Sequence, residues 1–402
     1  LDNFRWNNYF MKNKIIILTL IFSFSLSKTD NINHSLNTFG IDLYKIISKD
    51  EISRSSMISP LSISYALMMV SQGASNDTYN EILNVLNIKQ NDINNFVSPY
   101  QIEDSLLIMS NSIWIQNDNC YQPNKTYIDI LQNKFNGKIS YVNFYNDRLE
   151  IIDNINKWVE QFTIGTIKNI VSENEIKQST TQALLNTIYF KNKWTYPFDP
   201  NLTKKGNFYT NGDTIEVQMM NKKNKYAYLL SNDFELIELP YEKNISMYIF
   251  LPNKDIEIET FINDFNYEKF KLSLNELKYD LGDIYIPKFD LSYSVTLKDY
   301  LPTMGMVSAF APNQAEFDRF WDYKNTCKKY PPKHYIDLVN HKSYISNYEE
   351  GTEASAATVV VINRVTSIRP NKYFNFVANR PFLYIIYDKN IDNILFIGNY
   401  SG

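Results

Sequence analysis

One large domain of mixed α+β class, with helices early and strands late, is what this sequence predicts. Three observations carry that expectation. Apolar residues recur at helical spacing through much of the first 165 residues. Short runs rich in β-branched and aromatic residues dominate afterwards. Finally, no Gly/Ser/Pro-rich stretch divides the 402 residues, and only 11 of them are Gly. A chain of this length has room for two ordinary domains, but nothing in it reads as a linker or an internal repeat.

The helical periodicity falls at Phe39–Ile47, Pro60–Ser71, Thr78–Leu86, Tyr127–Asn133 and Leu149–Thr163. Strand-like runs follow at Gln182–Phe190, Ser246–Leu251, Asp283–Phe289 and Leu383–Tyr387. With 30 Tyr and 25 Phe, the chain has the aromatic content of extensive sheet over a large core. Apolar residues make up 44% of it, and the formal net charge is -4, so no global charge points to nucleic acid. The abundance of Asn reads as compositional bias.

The N-terminus speaks of an export route. Met11-Lys12-Asn13-Lys14 is a basic start, and Ile15 to Leu26 is an apolar run too short to span a bilayer comfortably. Ser25 and Ser27 suit a cleavage site, so residues 11–27 read as a signal peptide cut after Ser27. Residues 1–10 precede the natural-looking initiator Met11 and stand outside the fold, leaving 28–402 as the domain. Glycosylation acceptor triplets begin at Asn33, Asn76, Asn124, Asn201, Asn244 and Asn399. Cys120 and Cys327 are the only cysteines. In an oxidising compartment they either pair or remain two thiols, and spacing alone does not decide.

Enzyme signatures are missing. Nucleophilic serine chemistry needs a base, usually His, and the chain has only His34, His334 and His341. There is no Gly-x-Ser-x-Gly elbow, no phosphate-cradling Gly loop and no clustered Cys/His zinc set. No catalytic residue, metal or cofactor is expected.

The segment Glu349-Glu350-Gly351-Thr352-Glu353-Ala354-Ser355-Ala356-Ala357-Thr358 is charged at its start and then nearly all small. A helix accepts Ala but not the β-branched Val359-Val360-Val361-Ile362 that follows. The economical reading is a segment with two lives, an exposed loop first and a buried strand later. In a strand, Thr352, Ala354, Ala356 and Thr358 share one face, and all are small enough to slide under existing side chains. Glu353 takes the other face.

This pattern resembles the reactive-loop hinge of an inhibitory serpin. Other segments are similar to that family in the same order. Ser59-Pro60-Leu61-Ser62-Ile63-Ser64-Tyr65-Ala66-Leu67 resembles the helix beneath its central sheet. Asn156-Lys157-Trp158-Val159 with Thr163-Ile164-Gly165-Thr166-Ile167 resembles the end of the covering helix. Asn186-Thr187-Ile188-Tyr189-Phe190-Lys191-Asn192-Lys193-Trp194 looks like the third strand of that sheet, and Asn379-Arg380-Pro381-Phe382-Leu383-Tyr384 like the C-terminal signature.

The resemblance implies a single-domain serpin fold with three β-sheets, about eight to nine helices and an exposed reactive loop. It implies a secreted, monomeric suicide inhibitor of serine proteases of trypsin-like or elastase-like class, needing no cofactor, nucleic acid or membrane. It places Ser62, Asn186 and His341 at the control point where the sheet opens, and Trp194 near the point of loop entry. Counting along the loop puts the scissile residue at Val365, followed by Thr366, suited to an elastase-like pocket. Arg364, one residue earlier, suits a trypsin-like pocket, and the reading leans slightly to Arg364. Arg369 is excluded by Pro370. The alternative is a non-inhibitory serpin acting as carrier, storage or chaperone-like protein, whose hinges often hold bulky, charged or proline residues. Phe320 to Pro332 reads as a surface insertion relative to the family. Asn91–Leu107, where some serpins bind heparin, is acidic here, so glycosaminoglycan activation is not expected.

Overall fold

The computed structural model describes residues 32–51, 54–99, 107–117, 121–323, 334–352 and 373–402. Two large sheets and a short ribbon pack with eight α-helices among these residues. The central sheet has seven strands. Its order is Lys138–Val142, Leu107–Gln116, Gln182–Phe190 and Leu338–Tyr348, with Phe289–Thr296 along the far edge of the last. Two short strands, Gly351–Thr352 and Asn192–Lys193, sit at one end. The second sheet has nine strands, built around the 17-residue strand Thr214–Leu230. The ribbon pairs Trp321–Tyr323 with Tyr121–Pro123.

The central sheet is covered on both faces. Side chains alternate along each strand, so Leu184 and Ile188 enter the main core while Ala183 and Leu185 enter a second, smaller one. On the main-core side lies the helix Pro60–Ser71, with every residue buried. A helix apolar all round is stable only when surrounded. Ser59 caps it, accepting from Ser62 N–H at 3.2 Å, and Pro60 occupies the first turn, where its missing N–H costs nothing. On the other side lies the amphipathic helix Phe144–Phe162, which buries Ile151, Ile155, Trp158 and Val159. Its apolar contact with the sheet is this smaller cluster, so lifting the helix exposes far less apolar surface than opening the main core.

The expected helices and strands are present, several with longer ends. The helix over 32–50 contains Phe39–Ile47, Lys125–Phe135 contains Tyr127–Asn133, and Pro60–Ser71 and Gln182–Phe190 keep their bounds. Asp283–Phe289 is corrected. It is not one strand but a junction: Lys278–Pro287 belongs to the nine-stranded sheet and Phe289–Thr296 to the central one. Phe320 and Trp321 are corrected too. They are buried, Phe320 against Tyr127 and Phe317, so the predicted surface insertion begins inside the core. Residues 324–333, including Cys327, lie outside the described residues, as do Cys120 and residues 1–31.

A third correction concerns Asn399. It is 4% exposed. Its Oδ1 accepts from Tyr44 Oη at 2.8 Å and Ser56 N–H at 3.1 Å, and its Nδ2 donates to Arg54 O at 3.0 Å and to Ser401 Oγ at 2.6 Å. An amide so enclosed offers no attachment point for a glycan. Asn76, Asn201 and Asn244 are exposed. Asn124 caps the helix Lys125–Phe135, and Asn33 donates to Ile391 O at 2.6 Å. No described helix is long and apolar enough to cross a membrane.

Candidate functional site: a fork in the central sheet

The strands Gln182–Phe190 and Leu338–Tyr348 run parallel and paired from Ala183 with Leu338 to Tyr189 with Tyr344. Beyond that point they part, and Gly351–Thr352 lies in the fork. It is antiparallel to both neighbours: Thr352 faces Asn347 on one side and Asn192 on the other, and Gly351 faces Tyr348 and Lys193. The chain therefore turns back on itself at Glu349-Glu350 and begins a new strand between two existing ones. Gly351 is required here. Its φ is +149°, and an added Cβ would lie 2.2 Å from Asn192 O.

Distant side chains hold this turn. Glu349 is buried and pairs with Lys288 Nζ at 2.8 Å while accepting from Thr203 Oγ1 at 2.7 Å. Burial alone would raise its carboxyl pKa, but the Lys288 and Thr203 contacts outweigh burial and hold it below the usual carboxylate range. The Glu349 carbonyl accepts from Phe198 N–H at 2.8 Å and the Glu350 carbonyl from Trp194 N–H at 3.0 Å. Trp194 donates its indole Nε1–H to Tyr348 O at 2.8 Å and stacks on Tyr241 with centroids 4.0 Å apart. Tyr241 in turn shares a 2.6 Å hydrogen bond with Thr352 Oγ1, and Thr352 is fully buried.

Further down the paired strands sits a closed polar cluster. His341 and Asn186 are direct partners across the two strands, and both are fully buried. Asn186 Nδ2 donates to Ser62 O at 2.9 Å, to Ser62 Oγ at 2.5 Å and to Asn111 Oδ1. His341 Nε2 accepts from Ser59 N–H at 3.1 Å. A backbone N–H only donates, so Nε2 carries no proton. Nδ1–H therefore donates to Asn186 Oδ1. The cluster ties both strands to the start of the helix beneath them, and its bonds are the ones that must be exchanged if the strands separate.

Burial pushes the His341 pKa down from 6.5 to about 3. The unfolded chain takes up that proton as pH falls below about 6.5, whereas the folded one does not until about 3. The unfolded state thus binds more protons across this window, and the contribution present above pH 6.5 is lost as pH falls toward 3. At pH 4.5 the loss amounts to ~2–3 kcal/mol. Denaturant melts of wild type and His341→Gln over pH 4–8 check this. The variant is less stable at neutral pH, and the wild-type-minus-variant difference shrinks as pH falls. A difference independent of pH contradicts a neutral buried imidazole.

The sequence expectations meet the structure unevenly. Ser62, Asn186 and His341 come together in one cluster, and Trp194 lies at the fork. Glu349, Gly351 and Thr352 are placed, with Thr352 on the buried face. Glu353, Ala354, Ser355, Ala356, Ala357 and Thr358 lie outside the described residues, as do Arg364, Val365 and Thr366. Sequence reasoning missed Lys288, Thr203, Tyr241 and Asn111, which come from separate segments and bear no local motif. No cluster of three metal-ligating side chains occurs among the described residues.

The family described as serpin (serine protease inhibitor) matches residues 34–402. The chain belongs to the serpin family, and its fold is the single-domain, mixed α+β serpin fold with three sheets. It is 31% identical to human Serpin B8 over 386 residues, covering 93% of this chain and 100% of that one. It is 32% identical to an uncharacterised serpin-like protein of Methanosarcina acetivorans over 378 residues, 90% and 84% of the two chains. Among solved structures it resembles the thermophilic serpin Tengpin in its native state, with TM-score 0.80, 27% identity and coverage of 93% and 94%. It also resembles human thyroxine-binding globulin, with TM-score 0.82, 23% identity and coverage of 93% and 99%, a likeness of fold.

Proposed function

We propose that this chain is a secreted serine protease inhibitor that acts as a suicide substrate through strand insertion. The observation that carries the reading is the register at the fork. Each step along the loop from Thr352 moves one residue back along both neighbouring strands. Continued, it sets Ala354 opposite Ile345 and Phe190, and Ala356 opposite Ser343 and Ile188. Thr358 then falls opposite His341 and Asn186 together. Ile345, Ser343 and His341 are all fully buried, so the small residues of the hinge match positions with no room for large ones. The His341–Asn186 bond closes the path, and Thr358 brings a hydroxyl to the place where that bond is given up.

The protease serine attacks the scissile carbonyl, the peptide C–N bond breaks, and the leaving amine takes a proton from the enzyme. The loop segment upstream stays esterified to the protease and is free to continue the strand. Seven parallel residue pairs, Leu338–Ala183 through Tyr344–Tyr189, are replaced by two antiparallel ladders. At roughly 0.5–1.5 kcal/mol net per added hydrogen bond and ~25 cal/mol per Å² of apolar burial, insertion is worth on the order of 10–20 kcal/mol. The native chain is therefore kinetically trapped.

Arg364 is the proposed scissile residue, because its guanidinium pairs bidentately with a carboxylate in a trypsin-like pocket. Arg364→Ala should abolish inhibition of a trypsin-like enzyme. An unpaired buried carboxylate in the protease costs ~2–5 kcal/mol, a factor of roughly 30 to several thousand. Mass spectrometry of the peptide released from the complex reads the bond directly. A new N-terminus at Val365 supports the trypsin-like assignment, and one at Thr366 replaces it with an elastase-like one. Export through a signal peptide at 11–27 and glycosylation at exposed triplets such as Asn76, Asn201 and Asn244 belong to the same proposal. N-terminal sequencing and glycosidase shift of the secreted protein test them.

A further inference from the structure

An open cleft of about 550 Å³ lies between the helix Phe144–Phe162 and the edge strand Lys138–Val142, away from the fork. At its base, Lys138 Nζ sits over two indole rings, 4.8 Å from the Trp114 centroid and 5.2 Å from that of Trp158. Both rings are buried and belong to the small core beneath the helix. Lys138 forms no ion pair among the described residues. Lys157 lines the same cleft from the helix, as do Gln161 and, from the strand, Ser140. Among the described residues no carboxylate lines it. Asp153 stands one helical turn from Lys157 and pairs with it at 2.6 Å on the exposed face.

A cation over two rings is only partly compensated. The ring faces attract the charge, but they accept none of the ammonium's three N–H bonds in the way an oxygen does. Partial burial also lowers the Lys138 pKa. The cleft is open and donor-rich, and Tyr141, Val142 and Trp158 give its lining an apolar side. From this geometry we infer that the cleft binds a small anion carrying an aromatic body, with its carboxylate or sulfonate on Lys138 and its ring against Tyr141, Val142 and the rim of Trp158.

Such a ligand touches the strand and the helix at once. It would tie the covering helix to the sheet edge, raising the stability of the uncleaved protein. Binding is a property of the native chain and does not depend on the inhibitor reading.

The test uses the full secreted chain and three probes: naphthalene-2-carboxylate, its neutral counterpart naphthalene-2-methanol, and inorganic phosphate. Titration is followed by indole fluorescence and by calorimetry, for wild type and for Lys138→Met, which keeps an apolar stem over the rings. The carboxylate is expected to saturate wild type, quench Trp fluorescence and raise the melting temperature. The alcohol and the Lys138→Met variant should each bind about tenfold more weakly, the scale of one charge-assisted contact in a partly desolvated site. Lys157→Gln, as a second variant, should lose less. Equal binding to Lys138→Met, equal binding of the alcohol, or no saturable binding by the carboxylate overturns the proposal. Phosphate binding as tightly as the carboxylate removes the aromatic requirement and overturns it as well.

Discussion

If the proposed insertion operates, cleaving the chain between Val359 and Arg369 should raise the melting temperature by on the order of 10–25 °C, from an insertion worth ~10–20 kcal/mol in a domain of this size. The direction is unusual, since a nick normally loosens a protein. Here the cut releases a strand already started. Gly351 and Thr352 are hydrogen-bonded between Asn347–Tyr348 and Asn192–Lys193, so the proposed insertion would propagate from an existing nucleus. A non-target protease makes the cut, and calorimetry of intact and cut protein reads the change. An unchanged melting temperature favours a carrier-like serpin whose loop does not enter the sheet.

Under the proposed mechanism, Thr352→Arg should turn the protein from an inhibitor into a substrate. Thr352 is fully buried and bonded to Tyr241 at 2.6 Å. A guanidinium there has no partner, and burying it costs several kcal/mol. The hinge is then expelled from the fork, insertion stalls at its first residue, and the acyl-enzyme hydrolyses. Cleavage of the loop should proceed at a rate close to wild type while the yield of trapped protease falls toward zero. Thr352→Ser keeps the hydroxyl and the small size and should inhibit normally. This pair separates loss of insertion from general damage to the fold. Trapping by Thr352→Arg at wild-type yield contradicts insertion through this face.

Much of this arrangement was legible in the sequence because the relevant signals are local. The run Gln182–Phe190 is apolar on both faces, as a strand covered on both sides must be. Of the alternating small positions read as a hinge, Thr352 is the one described, and it lies on a buried strand face as a small residue inside a sheet does. What stayed hidden depends on contacts between distant segments. Glu349 is anchored by Lys288 and Thr203, and Thr352 by Tyr241, and nothing in the spacing of those residues announces it. The Asn399 triplet reads as a surface site because a triplet carries no information about burial; Tyr44 and Ser56 enclose it. The alternation of Asp283–Phe289 runs on across Pro287-Lys288, so periodicity alone does not reveal that the chain changes sheets there.

In the proposed mechanism the loop is both bait and strand. Incubating the protein with trypsin-like, elastase-like and chymotrypsin-like enzymes, then running a denaturing gel, tests it most directly. A band resisting denaturant, with the summed mass of protease and inhibitor lacking its C-terminal peptide, is the predicted result for the trypsin-like enzyme. Complete loop cleavage by every enzyme, with no such band and full recovery of protease activity, would contradict it.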